Sequence, residues 1–266
     1  MTEKIPENLI TFAAHGGYEI PRILRSVIRR EFDKRLQMNF SDFGVWELLS
    51  QIPENQKLRP QFGRTAGDGN RGPGAKDLFP EKDFGGLKIF NRKLTIFERG
   101  QMKRFNYFPF HREIIEKMLN PLVDGKIAFF DVHDTDNKIL AKNPKNDHSR
   151  PNPMPPIVIS SGGGLTAPAE FLEDVKMSFA HHFDLNPMEI DVDRYYKGGF
   201  VTKNYGDPNH FVWRNQPKSP IVQIELLRNY LNEKRTELVP KLIAHTREKL
   251  MRALADVADG LNPRIN

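Results

Sequence analysis

Two histidines stand where chemistry is possible. The first closes the apolar run Ile10-Thr11-Phe12-Ala13-Ala14-His15 and is followed at once by Gly16-Gly17. The second closes Ile127-Ala128-Phe129-Phe130-Asp131-Val132-His133. Each run reads as a buried strand that delivers an imidazole to the loop where the chain leaves a sheet. In open α/β sheets ligands bind beyond the carboxyl ends of the strands. Two imidazoles brought there from separate strands are what a catalytic metal site requires. The competing reading makes each a hydrogen-bonded structural residue of a strand end.

Further polar residues accompany them. Asp131 stands two residues before His133, on the same strand face, where a carboxylate can orient a metal-bound imidazole. The glycines after His15 let the backbone approach a ligand or ion, and Glu19 in that loop is a possible further ligand. Asp42, which opens the segment Ser41 to Leu49, is another carboxylate to weigh, although an Asp there also suits a helix N-cap. Asp68-Gly69-Asn70-Arg71-Gly72-Pro73 sets an arginine in a glycine-rich loop. Its planar fork matches a carboxylate; simple solvation is the alternative. Tyr196-Lys197-Gly198-Gly199-Phe200 is a glycine turn. Glu225 interrupts the apolar strand Ile221 to Leu227, and a buried carboxylate is costly unless paired or metal-associated. It is therefore either a catalytic group or the ion-pair partner of Arg228. His181 and His182 read as a helix-surface pair, and His148, His210 and His245 have no setting that suggests chemistry.

The elements that must position these residues alternate. Apolar strands are expected near 9–14, 86–91, 126–132, 156–160 and 220–226. Helices are expected near 21–37, 44–50, 111–122, 167–183 and 238–259. Pro21 fits a first helical turn, and Thr166 fits an N-cap for the stripe Phe171, Leu172, Val175, Phe179. Such alternation argues for a mixed or parallel sheet flanked by helices. Two stretches break the rhythm, Gly63 to Gly86 and 141–156, and loops of that length inside a compact domain are usually functional or disordered. Neither an internal repeat nor a shift in composition marks a second domain.

Composition narrows the classes. With 266 residues, 38% of them hydrophobic and 28% charged, the chain can bury a substantial core and is not a disordered one. No apolar run approaches a membrane span, and residues 1–6 lack the apolar core of a signal peptide, so a cytoplasmic location is expected. The absence of cysteine excludes disulfides, thiolate zinc sites and a cysteine nucleophile. Any metal must then be held by His and carboxylate. The net charge of +6 raises the question of nucleic acid. The densest basic cluster, Arg22, Arg25, Arg29, Arg30, Lys34 and Arg35, reads instead as the solvated face of the helix expected at 21–37. No nucleic-acid or membrane partner is expected.

From His15 to Tyr230 these motifs, taken in order, resemble the N-formylglutamate amidohydrolase family, which is itself similar to zinc carboxypeptidases and aspartoacylases. The resemblance rests on His15-Gly16-Gly17 with Pro21, on Asp42 with Val45, Glu47 and Leu48, and on Asp68-Gly69-Asn70-Arg71-Gly72-Pro73. It continues through Pro109-Phe110-His111, Asp131-Val132-His133, Tyr196 to Phe200 with Tyr205-Gly206, and Gln223-Ile224-Glu225 with Arg228 and Tyr230. It implies a single α/β domain over residues 1–266, with a carboxypeptidase-like (phosphorylase/hydrolase-like) mixed sheet flanked by helices. It also implies one Zn²⁺ held by His15, His133 and a carboxylate, with Asp42 preferred to Glu19 and Asp131 orienting an imidazole. Glu225 would act as general base and then acid. Asn70 and Arg71 would grip a substrate carboxylate, with His111, Gly198, Gly199 and Arg228 among the substrate contacts. The implied substrate is a small N-acyl amino acid such as N-formylglutamate, cleaved to formate and glutamate. A member that binds a carboxylate without cleaving it and a metallopeptidase acting on short peptides are the alternatives. Three departures point toward an altered site or substrate. Asp134 follows His133 where the family usually has Ser. Trp46 stands where it often has Asp. Ser160-Ser161 replaces a segment that carries acidic residues.

Overall fold

Four apolar runs become strands whose residues are all buried, because the sheet they form is covered on both faces. The computed structural model describes residues 4–32, 40–42, 44–135, 154–214, 217–231 and 238–261. Its strands are β1 (Leu9–Phe12), β2 (Lys57–Leu58), β3 (Ala128–Thr135), β4 (Ile157–Ser160), β5 (Ile190–Val192) and β6 (Ile221–Leu227). They form one sheet in the order β2-β1-β3-β6-β4-β5. Pairing is parallel from β2 through β6, antiparallel between β6 and β4, and parallel between β4 and β5. The sheet is therefore mixed, and β1, β3 and β6 all point their carboxyl ends the same way.

The helices are α1 (Val45–Leu48), α2 (Ile96–Met102), α3 (Phe108–Leu119), α4 (Ala169–Phe183), α5 (Phe200–Gly206) and α6 (Pro240–Leu261). One face of the sheet packs Phe130, Val132, Val222, Ile224 and Leu226 against α1, α4 and α6. The other packs Ile10, Phe12, Phe129 and Ile221 against Phe110, Ile114 and Met118 of α3 and Val201 and Tyr205 of α5. Each large side chain so buried stabilises the fold by about 1.5–3 kcal/mol. On this second face the apolar positions give way, toward the carboxyl ends, to Asp131, His133, Gln223 and Glu225. Strand alternation carries the polar set and the apolar set on the same side.

Four expected features differ. The 21–37 segment is helical only as a 3₁₀ turn at Arg22–Leu24, and 33–37 lies outside the described residues. Leu24, Val27, Ile28 and Phe32 are buried as helical spacing suggested, but against Leu78, Phe79, Ile89 and Phe90. The backbone there pairs across the chain, Arg29 N–H to Ile89 O at 2.9 Å and Asn91 N–H to Val27 O at 2.9 Å. Nor is 86–91 a strand: it contributes only the isolated bridges Ile28–Phe90 and Lys82–Lys88. Thr166 does not cap α4; its hydroxyl donates to Ile221 O at 2.6 Å, and Pro168 precedes the helix. The 63–86 stretch is packed rather than loose, with Asp68 N–H donating to Leu78 O at 2.8 Å. Of 141–156, residues 141–153 lie outside the described ones. Among the described residues no helix is long and apolar enough to cross a membrane.

Candidate metal centre

Each histidine reaches the sheet edge by its own route. After β1 the chain turns tightly, Gly16 N–H donating to Ala13 O at 2.8 Å, and this presents His15. β3 simply runs on to carry His133 on the face of Asp131. The segment carrying Asp42 is tied to the first turn by Asp42 N–H donating to His15 O at 3.3 Å. As a result His15, Asp42 and His133, all buried, each offer one donor atom, and the three atoms lie within 4.8 Å of one another. They could hold a metal ion.

The two imidazoles are oriented alike. His15 Nδ1 lies 3.2 Å and His133 Nδ1 2.5 Å from the same oxygen, Asp42 Oδ2. Their Nε2 atoms point outward to separate carboxylates, His15 to Asp68 Oδ1 at 2.7 Å and His133 to Asp131 Oδ1 at 3.0 Å. At His15 this is the arrangement in which a metal-ligating imidazole donates its outer N–H, which fixes the tautomer and leaves the inner nitrogen free to coordinate; at His133 the approach to Asp131 is a charge contact without a hydrogen bond to Oδ1. The donor set, two imidazoles and one carboxylate with carboxylates behind both rings, fits a divalent ion of the zinc type.

The electrostatics follow from burial and pairing. Burial opposes ionisation of Asp42, but His15 and His133 outweigh it and hold the carboxyl well below its usual range. Asp68 is likewise buried, and Arg64 followed by His15 brings it well below; Arg64 Nε donates to Asp68 Oδ2 at 2.8 Å. Burial disfavours the His133 cation, yet Asp131 and Asp42 lift its pKa well above normal. Glu225, opposite His133 in the β3–β6 register, is pushed up to about 8 by burial.

Glu225 is held by Gln223, whose amide donates to Oε1 at 2.7 Å and accepts from Gly199 N–H at 2.6 Å. Arg228, the partner weighed for it, is engaged elsewhere: its Nε donates to Asp134 Oδ1 at 2.8 Å, and its Nη2 to Ser41 O at 3.4 Å. Asp134 alternates to the face away from Asp131 and His133, so this pair braces the segment that carries Asp42. Asp42 caps no helix; Gly44, with φ of 94°, precedes α1. Glu19 is exposed and stands apart from the cluster.

The remaining candidates surround this centre. Asn70 is buried; its Oδ1 accepts from Val201 N–H at 2.9 Å, and its Nδ2 lies 3.4 Å from His133 Nε2. Gly199 packs so closely on it that a Cβ would sit 2.0 Å from Asn70 Nδ2. Gly198 takes φ of 79°, which favours glycine. Arg71 pairs with Asp77 at 2.7 Å and is partly exposed. His111 is buried on α3 with Nδ1 2.8 Å from Tyr205 Oη, and burial lowers its pKa to about 4. At the departures from the family pattern, Trp46 lies under Arg59 at 4.4 Å and Lys57 at 5.0 Å. Ser161 N–H donates to Asp193 Oδ1 at 2.7 Å, so an acid from beyond β5 reaches this segment. Sequence reasoning missed Asp68 with Arg64, and Gln223. The Arg64–Asp68 spacing of four was the available signal for the first, and the i, i+2 spacing to Glu225 for the second. A cavity of about 900 Å³, lined by Ile5, Gln56, Met251 and Ala255 among others, shares no residue with the centre.

The family model described as N-formylglutamate amidohydrolase matches residues 8–231. Among solved structures, the chain is similar to the N-formylglutamate amidohydrolase of Ralstonia eutropha JMP134, with a TM-score of 0.76 at 19% identity, over 97% of this chain and 95% of that one. It is also similar to a gene product of Agrobacterium tumefaciens, with a TM-score of 0.58 at 17% identity, over 96% and 95%. None of the curated proteins matches the chain.

Proposed function

The chain belongs to the N-formylglutamate amidohydrolase family, which makes it a hydrolase, and from that premise we propose that it cleaves the amide of a small N-acyl amino acid with Zn²⁺ held by His15, Asp42 and His133. N-formylglutamate is the first substrate to try. The observation that carries the reading is the convergence of both Nδ1 atoms on Asp42 while both Nε2 atoms rest on carboxylates.

Bound there, the ion would supply Lewis acidity toward the scissile carbonyl and acidify a water. Glu225 would accept a proton from the attacking water and return it to the departing amine nitrogen. Gln223 fixes Oε1, which leaves Oε2 to carry the proton. Arg71 meets the substrate carboxylate. Its pair with Asp77 is partly exposed, and such pairs contribute only about 0–1 kcal/mol, so a substrate carboxylate can take the place of Asp77. Asn70 keeps the loop seated on α5 and close to His133. His111, neutral at physiological pH, Gly198 and Gly199 shape the substrate side, and Arg228 keeps the Asp42 segment in register.

The test is metal analysis of the purified protein together with formate release from N-formylglutamate. The expected result is about one zinc per chain and turnover that a chelator removes. Glu225→Gln should keep the zinc and lose on the order of 10²–10⁴ in kcat. Zinc without turnover of any N-formyl amino acid would sink the substrate assignment. Turnover untouched by chelator would sink the metal.

A further inference from the structure

The 81–89 hairpin holds charges of one sign face to face. Ile89 N–H donates to Glu81 O at 3.0 Å and Asp83 N–H to Leu87 O at 2.9 Å, which sets Lys82 opposite Lys88 in an antiparallel bridge. Like charges so placed repel. The pairing of Arg29 N–H with Ile89 O brings Arg29 to the same place, and Arg92, Lys93 and Arg99 close the other side. These six cations line a cavity of about 270 Å³, against one lining carboxylate, Glu81. Glu98 answers Arg92, and Glu31 lies 3.4 Å from Arg29. Among the described residues, Lys82, Lys88, Lys93 and Arg99 have no ion pair or side-chain hydrogen bond. Phe79 and Phe90, both buried, form the apolar wall.

We propose that this cavity binds a small, multiply phosphorylated anion. Each phosphate carries a charge of about −1.5 to −2 near neutrality, so two of them in one small volume answer four unmatched cations. Ammonium and guanidinium groups are the usual partners of phosphate oxygens, and the phenyl rings suit the ligand's apolar part. The small volume suits a compact ligand better than a nucleic-acid strand. The phosphate can come from a free small molecule or from a lipid headgroup. Ile96 and Phe97, 92% and 68% exposed at the start of α2, are the apolar groups that would meet a membrane in the second case.

The experiment is calorimetric titration of the full chain with inorganic pyrophosphate at low salt, with citrate as the carboxylate control. Vesicles of phosphatidylcholine with and without phosphatidylinositol bisphosphate form the second arm. Pyrophosphate is expected to bind one to one and more tightly than citrate. The double variant Lys82→Ala/Lys88→Ala should bind at least tenfold more weakly, with a melting temperature no lower, since it removes a repulsion, and with hydrolase turnover unchanged. Cosedimentation with the phosphatidylinositol bisphosphate vesicles, lost in the same variant, would assign the phosphates to a lipid headgroup. Four results would overturn the proposal: no heat with pyrophosphate, binding unchanged in the variant, citrate binding as tightly, or a single-stranded oligonucleotide binding more tightly and losing affinity in the variant.

Discussion

The sheet edge and the 81–89 hairpin collect charge under opposite conditions. At the edge, Asp42, Asp68, Asp131 and Asp134 are buried, and each meets a partner able to carry positive charge: the two histidines, Arg64, His133 and Arg228. At the hairpin the charges are cationic and exposed, and four of them stand without a carboxylate among the described residues. Burial is the deciding difference. A carboxylate taken out of water carries a penalty of several kcal/mol unless it is paired, whereas exposed lysines are hydrated and screened. The edge must therefore be matched group by group in a fixed geometry, as a resident cation demands. The hairpin tolerates an excess of one sign, which an exchangeable anion can answer.

Removing the carboxylate that both imidazoles share is the most direct way to break the edge. Asp42→Ala takes one donor from the metal cluster and the Nδ1 partner from both rings. Bound zinc, read by elemental analysis, should fall from about one per chain to background, and turnover with it. The anion site should be unaffected, so pyrophosphate titration of the same variant is the control. A variant that keeps its zinc would show that Asp42 is a structural bridge between imidazoles rather than a ligand.

The two outward carboxylates sharpen the comparison within the edge itself. Asp131 comes from the strand that carries its histidine; Asp68 comes from a loop and is also bound by Arg64. Each places a carboxylate behind one ring, so Asp131→Asn and Asp68→Asn should both weaken zinc affinity by roughly 10–100-fold, measured by chelator competition. Their stabilities should part. Asp68→Asn leaves the buried Arg64 without its counter-charge, and urea unfolding should show a loss of about 3 kcal/mol or more. Asp131→Asn strands no arginine and should lose about 1 kcal/mol. Equal losses would mean that Arg64 finds another partner.

The same contrast explains what the sequence discloses. β3 and β6 are legible because strands buried on both faces leave unbroken apolar runs, and a spacing of two places Asp131 with His133. Asp68 meets His15 across a loop that turns on packed Leu78 and Phe79, and no periodicity encodes that meeting. The 21–37 segment shows the converse. Leu24, Val27, Ile28 and Phe32 are buried as their spacing implies, but periodicity reports burial, and here the backbone spends its hydrogen bonds on residues 89–91. α2 carries a readable capping box, Thr95 with Glu98. It lacks an apolar stripe because Ile96 and Phe97 face solvent. α5 is hidden by the two glycines before it: Gly198 takes a positive φ, and the small size of Gly199 serves close packing on Asn70.

That packing yields a smaller effect. Gly199→Ala puts a methyl into the Asn70 amide, so Asn70 must give up its bond to Val201 N–H and move relative to His133. Overpacking of this kind typically costs about 1–3 kcal/mol. The expected reading is a lower melting temperature with zinc still bound, and a KM for N-formylglutamate that rises more than kcat falls. An unchanged KM would place Asn70 and the glycine turn outside substrate binding.

The smallest effect belongs to the hairpin side. Glu98 caps α2 and forks onto Arg92 at 2.7 and 2.9 Å. Hydrogen bonds from Arg92, and then from the Thr95 backbone, lower its pKa from 4.5 to about 2. Because the folded-state value is depressed, the stabilisation is present above pH 4.5 and is lost as the pH falls toward 2. Arg92 is half exposed and the pair is screened, so Glu98→Gln should lower stability near neutrality by only about 1 kcal/mol, a difference that vanishes near the lower limit of that window. The variant also frees Arg92 to face the cavity. Pyrophosphate should then bind more tightly while zinc content stays constant. Weaker binding would mean that Glu98 matters to the site by holding α2 in place, so that geometry rather than excess charge governs the cavity.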